Sequence, residues 1–227
     1  MNGFVYIIES PSKHDLLHGR VEGRALSEAF NLARIPFWYS LASDREMLAE
    51  ALSSHLVDAC SHQHPLVPIL HFSLHGDENN VGLTSGESLS WHDLRYLLLP
   101  LNRMIQGGLI ICMSSCFGYY GCRMAMYNDK EPPFYALVGN THSTTWADSA
   151  VAYITFYHLL FKGLPVESCV ESMKIASGDN NFGFEFGQSM KIAWLQYIQQ
   201  IDASGFRQSI QQAASETRIM FLGDFSR

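Results

Sequence analysis

The sequence predicts a three-layer αβα sandwich built around a mostly parallel sheet. Three observations carry that expectation. Short apolar, β-rich runs alternate with helical patterns from the start of the chain, the order of strands joined by helical crossovers. One run, residues 108–115, is apolar almost without a break, as in a strand covered on both faces. The 227 residues are 47% hydrophobic and only 16% charged, enough apolar mass for one sizeable core.

The elements follow in order. Residues 4–8 form a short apolar strand, ended by Ser10-Pro11. Leu26, Phe30 and Leu32-Ala33 mark a helix face, and residues 36–41 read as a second strand. Ser43 with Glu46 three residues on has the capping-box pattern, which predicts a helix over 44–59. Residues 68–74 are a third strand closed by His75-Gly76, and 81–89 a small hairpin around Ser85-Gly86. Ser90 with Asp93 starts a helix to residue 99. The strand 108–115 and a fifth strand over 134–138 come next. Helices over 148–161 and 166–176 are stopped by Gly163 and Gly178. Residues 179–187, rich in Gly, Asn and Phe, read as a loop. Helices are expected over 188–200 and 206–214, and a last strand near 218–223. The chain is expected to be one domain over 1–227, with 179–215 an insertion of unassigned role.

Composition excludes several classes. Lys+Arg is 15 against Asp+Glu 22, a net charge of −7, and this acidic balance argues against a dedicated nucleic-acid partner. No apolar run approaches the roughly 20 residues that span a bilayer, so no membrane association is expected. Residues 4–8 are too short for a signal-peptide core and run directly into Glu9. The chain is therefore expected in the cytoplasm. An odd count of 5 Cys does not suggest a disulfide framework. No metal site is expected, because Cys112, Cys116 and Cys122 face no second ligand pair. No cofactor is expected either, since neither Gly-rich phosphate-loop pattern occurs.

In open α/β sheets, sites form beyond the carboxyl ends of the strands. Two strand ends carry reactive groups, Leu74-His75-Gly76-Asp77 and Ser114-Ser115-Cys116-Phe117-Gly118. If these strands are neighbours, His75 and Cys116 emerge side by side, and a Cys with a His beside it can attack as thiolate. The N–H groups of Gly76 and Cys116 are candidates for an oxyanion hole, and Gly118 lets the chain leave the nucleophile. Buried packing accounts more simply for Cys60, Cys112 and Cys169. Cys122 reads as half exposed. His71, four residues before His75, reads as core, and His142 as a solvated loop residue. Asp77 could orient His75, but Asp-Glu-Asn-Asn is strong turn chemistry. Glu22-Gly23-Arg24 reads as a helix start.

A strand ending in His-Gly, followed by a strand ending in small-small-Cys-x-Gly, resembles the caspase-like cysteine peptidases. The separation of 41 residues between His75 and Cys116 is near the roughly 50 of caspases. Ser114-Ser115-Cys116-Phe117-Gly118 is most similar to the bacterial CHAT branch and departs from the Gln-Ala-Cys-Arg-Gly of caspases. Residues 134–139, Trp146-Ala147-Asp148 and Gly163-Leu164-Pro165-Val166 resemble the strand and helices that follow the nucleophile. The resemblance implies a six-stranded caspase-like sheet and an endopeptidase with a His75–Cys116 dyad acting on protein or peptide substrates. It also implies control by a regulatory protein partner or by assembly, and a setting in bacterial defence. The segment 119–133 is short, with Asp129 its only Asp, so autoprocessing looks unnecessary. No basic pocket for an aspartate side chain is evident. Glu9, Ser115 and Asp148 are the candidate substrate contacts, and Glu9 with Asp148 would favour a basic P1 residue. Two alternatives stand beside this reading: a catalytically inactive scaffold that binds a protein partner, and a thiol acyltransferase on the same dyad.

Overall fold

Each apolar run in the sequence is followed by a stretch that covers it, and the strands assemble accordingly. The structure is a computed structural model and describes residues 2–127, 129–201 and 205. A first unit spans Met1–Met190 and a second Lys191–Arg227. In the second, residues 191–201 are helical.

The strands are β1 (Gly3–Ser10), β2 (Phe37–Leu41), β3 (Val67–Gly76), β4 (Asn80–Gly82), β5 (Ser88–Ser90), β6 (Ile110–Ser114), β7 (Ala136–Asn140) and β8 (Phe182–Phe186). The main sheet runs β2-β1-β3-β6-β7-β8, with β4 and β5 a hairpin attached to β3. Every pair on that path is parallel except β7 with β8. The helices are α1 (Lys13–Leu17), α2 (Glu22–Ala33), α3 (Arg45–Ala51), α4 (Ser54–Gln63), α5 (Trp91–Met104), α6 (Trp146–Phe161) and α7 (Val166–Ser177). A 3-10 helix, Gly118–Ala125, follows β6.

Strand alternation sends side chains to opposite faces. Phe4, Tyr6, Ile8, Leu70 and Phe72 share one core cluster with Leu48, Leu56, Leu94 and Leu98 from α3, α4 and α5. Val5, Ile7, Ile69, Cys112 and Val138 share the other with Leu26, Phe30, Tyr153, Phe156 and Met173 from α2, α6 and α7. These are the three layers that the sequence predicts.

The differences have local causes. Asp44, not Ser43, caps the third helix, its carboxylate accepting the Met47 N–H at 2.9 Å. The expected helix over 44–59 breaks into α3 and α4 at Ser53, whose hydroxyl donates back to the Ala49 carbonyl at 2.6 Å. Such a bond competes with helical pairing. The helix begun by the Ser90–Asp93 capping box runs through Pro100 to Met104. Residues 179–187 are not all loop, because Phe182, Phe184 and Phe186 alternate in β8, which pairs antiparallel with β7. The sixth strand of the main sheet is therefore β8. Cys122 is buried rather than half exposed. The helix expected over 206–214 and the strand over 218–223 lie outside the described residues.

Phe156 is fully buried against Tyr153 and Tyr157, whereas Ile175 on the neighbouring helix is 84% exposed. Phe156→Ala is expected to lower stability by about 3–5 kcal/mol. Ile175→Ala should change it by less than about 0.5 kcal/mol. Urea denaturation of both variants checks the assignment of this face as core.

Candidate active site

The parallel pairing of β3 with β6 sets the site. His71 lies opposite Cys112 and Ser73 opposite Ser114. Two residues further on come His75, still in β3, and Cys116, in the turn that follows β6. His75 shares the face of His71 and Ser73. His75 Nε2 lies 3.1 Å from Asp15 Oδ2, and its ring meets the Trp146 ring edge-on at 5.3 Å between centroids. The Cys116 thiol points to the Thr144 carbonyl at 3.7 Å. Asp15, Trp146 and Thr144 come from α1, the start of α6 and the loop before it, which cover that side of the sheet's edge. The His75 side chain is 47% exposed, so a substrate can reach the ring.

Gly76 is where the two strand ends touch. A Cβ there would fall 2.9 Å from the Cys116 carbonyl oxygen and 3.2 Å from the Ser115 Cβ. Only glycine lets the strand carrying the His approach the turn carrying the Cys this closely. That turn is tight: Phe117 has φ of +57° and donates its N–H to the His142 carbonyl at 3.0 Å. The Gly118 N–H donates to the Ser115 carbonyl at 3.1 Å. The chain then enters the 3-10 helix.

Asp15 is the residue that sequence reasoning missed. Ser12 caps α1, accepting the Asp15 N–H at 3.1 Å and donating its hydroxyl to Asp15 Oδ2 at 2.6 Å. Burial pushes the Asp15 carboxyl up, but hydrogen bonds from Ser12, His75 and Trp146, with the attraction of His75, outweigh it and hold the group below its ordinary value. The signal was present, since Ser12-x-x-Asp15 has the spacing of a capping box. Asp77, weighed for this role, instead accepts the Asn79 and Asn80 N–H groups at 2.7 and 2.8 Å in a turn.

The other candidates divide. Glu9 is 1% exposed, and its carboxylate accepts the Gly23 N–H and the Tyr39 hydroxyl, each at 2.8 Å. Those bonds bury it within the fold, so it does not line a surface that substrate reaches. Burial and the neighbouring Glu9 carboxylate push the Tyr39 phenol up. Ser115 is also buried, its hydroxyl packed toward Gly76 and without a hydrogen-bond partner among the described residues. It supports the turn from beneath. Asp148 lies in the first turn of α6, where Thr145 accepts its N–H and donates to its carboxylate at 2.7 Å. It borders a hollow of about 380 Å³ with Thr144, Thr145, Asp179 and Asn181. Thr144 thus connects that hollow to the Cys116 thiol. His142 has its Nδ1 2.9 Å from the Thr141 hydroxyl, and its backbone carbonyl accepts the Phe117 N–H. Burial pushes the Cys112 thiol up to about 12 and those of Cys122 and Cys169 up to about 11. Burial raises Cys60 as well. None of these four is suited to attack as thiolate.

His71 is fully buried, as core. Its Nδ1 lies 3.0 Å from the Tyr157 hydroxyl, and its Nε2 faces Glu22 Oε2 at 3.5 Å. Glu22, which begins α2, accepts the Ser114 hydroxyl at 2.8 Å. A polar network therefore underlies the strand ends.

No family model matches the chain, and no curated protein matches it either. Solved structures do. A secreted C11 cysteine protease from Bacteroides thetaiotaomicron, iotapain, superposes with a TM-score of 0.52 at 9% identity, over 83% of this chain and 67% of that one. A secreted C11 cysteine protease from the same organism, in complex with an irreversible peptide inhibitor, gives 0.52 at 10% identity, over 84% and 68%. At this identity the likeness is one of fold. The chain has the mixed α/β architecture of the caspase-like C11 proteases, a central mostly parallel sheet flanked by helices.

Proposed function

We propose that the protein is a cysteine endopeptidase whose catalytic groups are Cys116, His75 and Asp15. One observation carries the reading. His75 and Cys116 each lie two positions beyond Ser73 and Ser114, which pair across the parallel strands β3 and β6, and the Asp15 carboxylate lies 3.1 Å from His75 Nε2. That carboxylate fixes the ring's orientation and tautomer, as the third member of a triad does. With Nε2 engaged by Asp15, Nδ1 is the nitrogen that serves the thiol. The Cys116 thiolate attacks the peptide carbonyl carbon, and the oxyanion is held by the N–H groups of Gly76 and Cys116. His75 protonates the leaving amine and then takes a proton from the water that releases the acyl group.

The hollow beside Thr144 supplies the substrate preference. Asp148 and Asp179 both border it, and two carboxylates there suit a Lys or Arg side chain at P1. Glu9 has no part in this. The turn Ser114-Ser115-Cys116-Phe117-Gly118 resembles that of the CHAT branch, and this resemblance supports assigning the protein to it. With that assignment go a cytoplasmic location, a regulatory protein partner and a role in bacterial defence. No metal or cofactor takes part in this mechanism.

Four outcomes are expected. A peptidyl electrophile with basic P1 should label the parent at Cys116, and Cys116→Ser should abolish labelling, as read by intact-mass spectrometry. A folded parent that does not label favours the inactive scaffold. In a positional-scanning peptide library the parent should select Lys or Arg at P1, and selection of Asp would reject the assigned pocket. Asp15→Asn should lower kcat roughly 100-fold, the scale of a misplaced catalytic group. The same variant has a stability signature. Because the Asp15 carboxyl is depressed in the fold, its contribution is complete above its unfolded value near 4 and is lost as pH falls through the lower folded value. The stability difference between parent and Asp15→Asn in urea should be constant above about pH 5 and shrink below about pH 4.

A further inference from the structure

Two buried carboxylates near the site have no part in the proposed chemistry. Glu9 is the next-to-last residue of β1 at 1% exposure, and Glu22 opens α2 at 3%. They meet at the start of α2. Glu9 Oε1 accepts the Gly23 N–H at 2.8 Å. The approach is so close that a Cβ on Gly23 would fall 2.6 Å from Glu9 Oε2 and 2.6 Å from Tyr39 Cε2. That contact seats the first turn of α2 against the sheet and aims Glu22 at β6. Glu22 Oε1 then accepts the Ser114 hydroxyl at 2.8 Å, while Oε2 faces His71 Nε2 at 3.5 Å. Ser73 donates to Glu9 Oε1 at 3.4 Å.

Ser73 and Ser114 are partners across the β3–β6 pairing. Beyond them the strands part: β3 continues into its pairing with β4, and β6 ends in the turn that holds Cys116. Here buried carboxylates reach the two strands just before their ends. Stability alone is a poor reason for placing carboxylates there. Burying them is costly, and apolar replacement of such networks is often neutral or stabilising.

We propose that Glu22 is a positioning residue, which through Ser114 sets the end of β6 and so the aim of the Cys116 thiol at His75 and the substrate carbonyl. Glu9, through the Gly23 N–H, holds Glu22 in place. The inference rests on the endopeptidase reading above and assigns a residue outside its catalytic groups.

The test compares Glu22→Leu, Glu22→Gln and Ser114→Ala with the parent, using a basic-P1 peptide substrate and active sites counted by the peptidyl electrophile. Glu22→Gln keeps an oxygen for Ser114 and is expected within about threefold of parental kcat. Glu22→Leu should lose roughly 10- to 100-fold in kcat per titrated site, the cost of a displacement of about 1 Å. Its KM should stay within about twofold, while its Tm should fall, because the buried Ser114 hydroxyl and His71 Nε2 lose their partner. Ser114→Ala removes a single oxygen. It should show the same split between kcat and KM, and it carries the test if Glu22→Leu does not fold. Parental kcat per site in a folded Glu22→Leu or Ser114→Ala variant overturns the proposal and leaves the peptidase reading intact. A parent that neither cleaves nor labels overturns both.

Discussion

The pairing of Ser73 with Ser114 across β3 and β6 is the constraint on which the rest depends. The two strands are neighbours in the sheet but are separated in the chain by the β4–β5 hairpin and α5. A parallel strand has a period of two, so a slip of one residue would send every side chain of β6 to the other face. Cys112 would leave the Tyr153–Tyr157 layer, Ser114 would lose Glu22, and the turn that holds Cys116 would shift against Gly76. The register is held from both sides. On one face Ile111 and Met113 fill the core with Leu70 and Phe72, and on the other Cys112 and Ser114 meet α6 and α2.

The same constraint explains where the acidic residues go. The chain carries −7 overall, yet Glu9, Glu22 and Asp15 are all turned inward at the carboxyl edge of the sheet. Each holds a backbone or side-chain group whose position matters to the strand ends. Asp15 holds His75, Glu22 holds Ser114, and Glu9 holds the first turn of α2. The buried glutamates are anchors for the scaffold, whereas Asp148 and Asp179 border the hollow beside Thr144.

Much of this was legible in the residues. The unbroken apolar run of β6 and the alternation of strands with helices lead to the mostly parallel sheet, and the His-Gly and Cys-x-Gly strand ends to a site that required their strands to be neighbours, as β3 and β6 are. What escaped was decided by tertiary contact. The segment around β8 has the composition of a loop, and its alternating phenylalanines become a strand only because β7 offers a free edge. The short α1 lacks an apolar face and exists through its Ser12 cap, so Asp15 came with it unseen. Glu9 sits at a strand end, where a sequence reading places substrate contacts. Only the arrival of the α2 N-terminus and Tyr39 buries it.

The central claim is that the register of β3 and β6 makes Cys116 a His75-assisted thiolate while the other cysteines remain inert. Alkylation of the native protein by iodoacetamide, resolved by peptide mass spectrometry across pH 5–9, tests it without any assumption about substrate. The account predicts that Cys116 reacts first among the five cysteines, and that His75→Ala slows Cys116 alone. Alkylation of Cys116 at the same rate with and without His75, or no faster than Cys60, would contradict it.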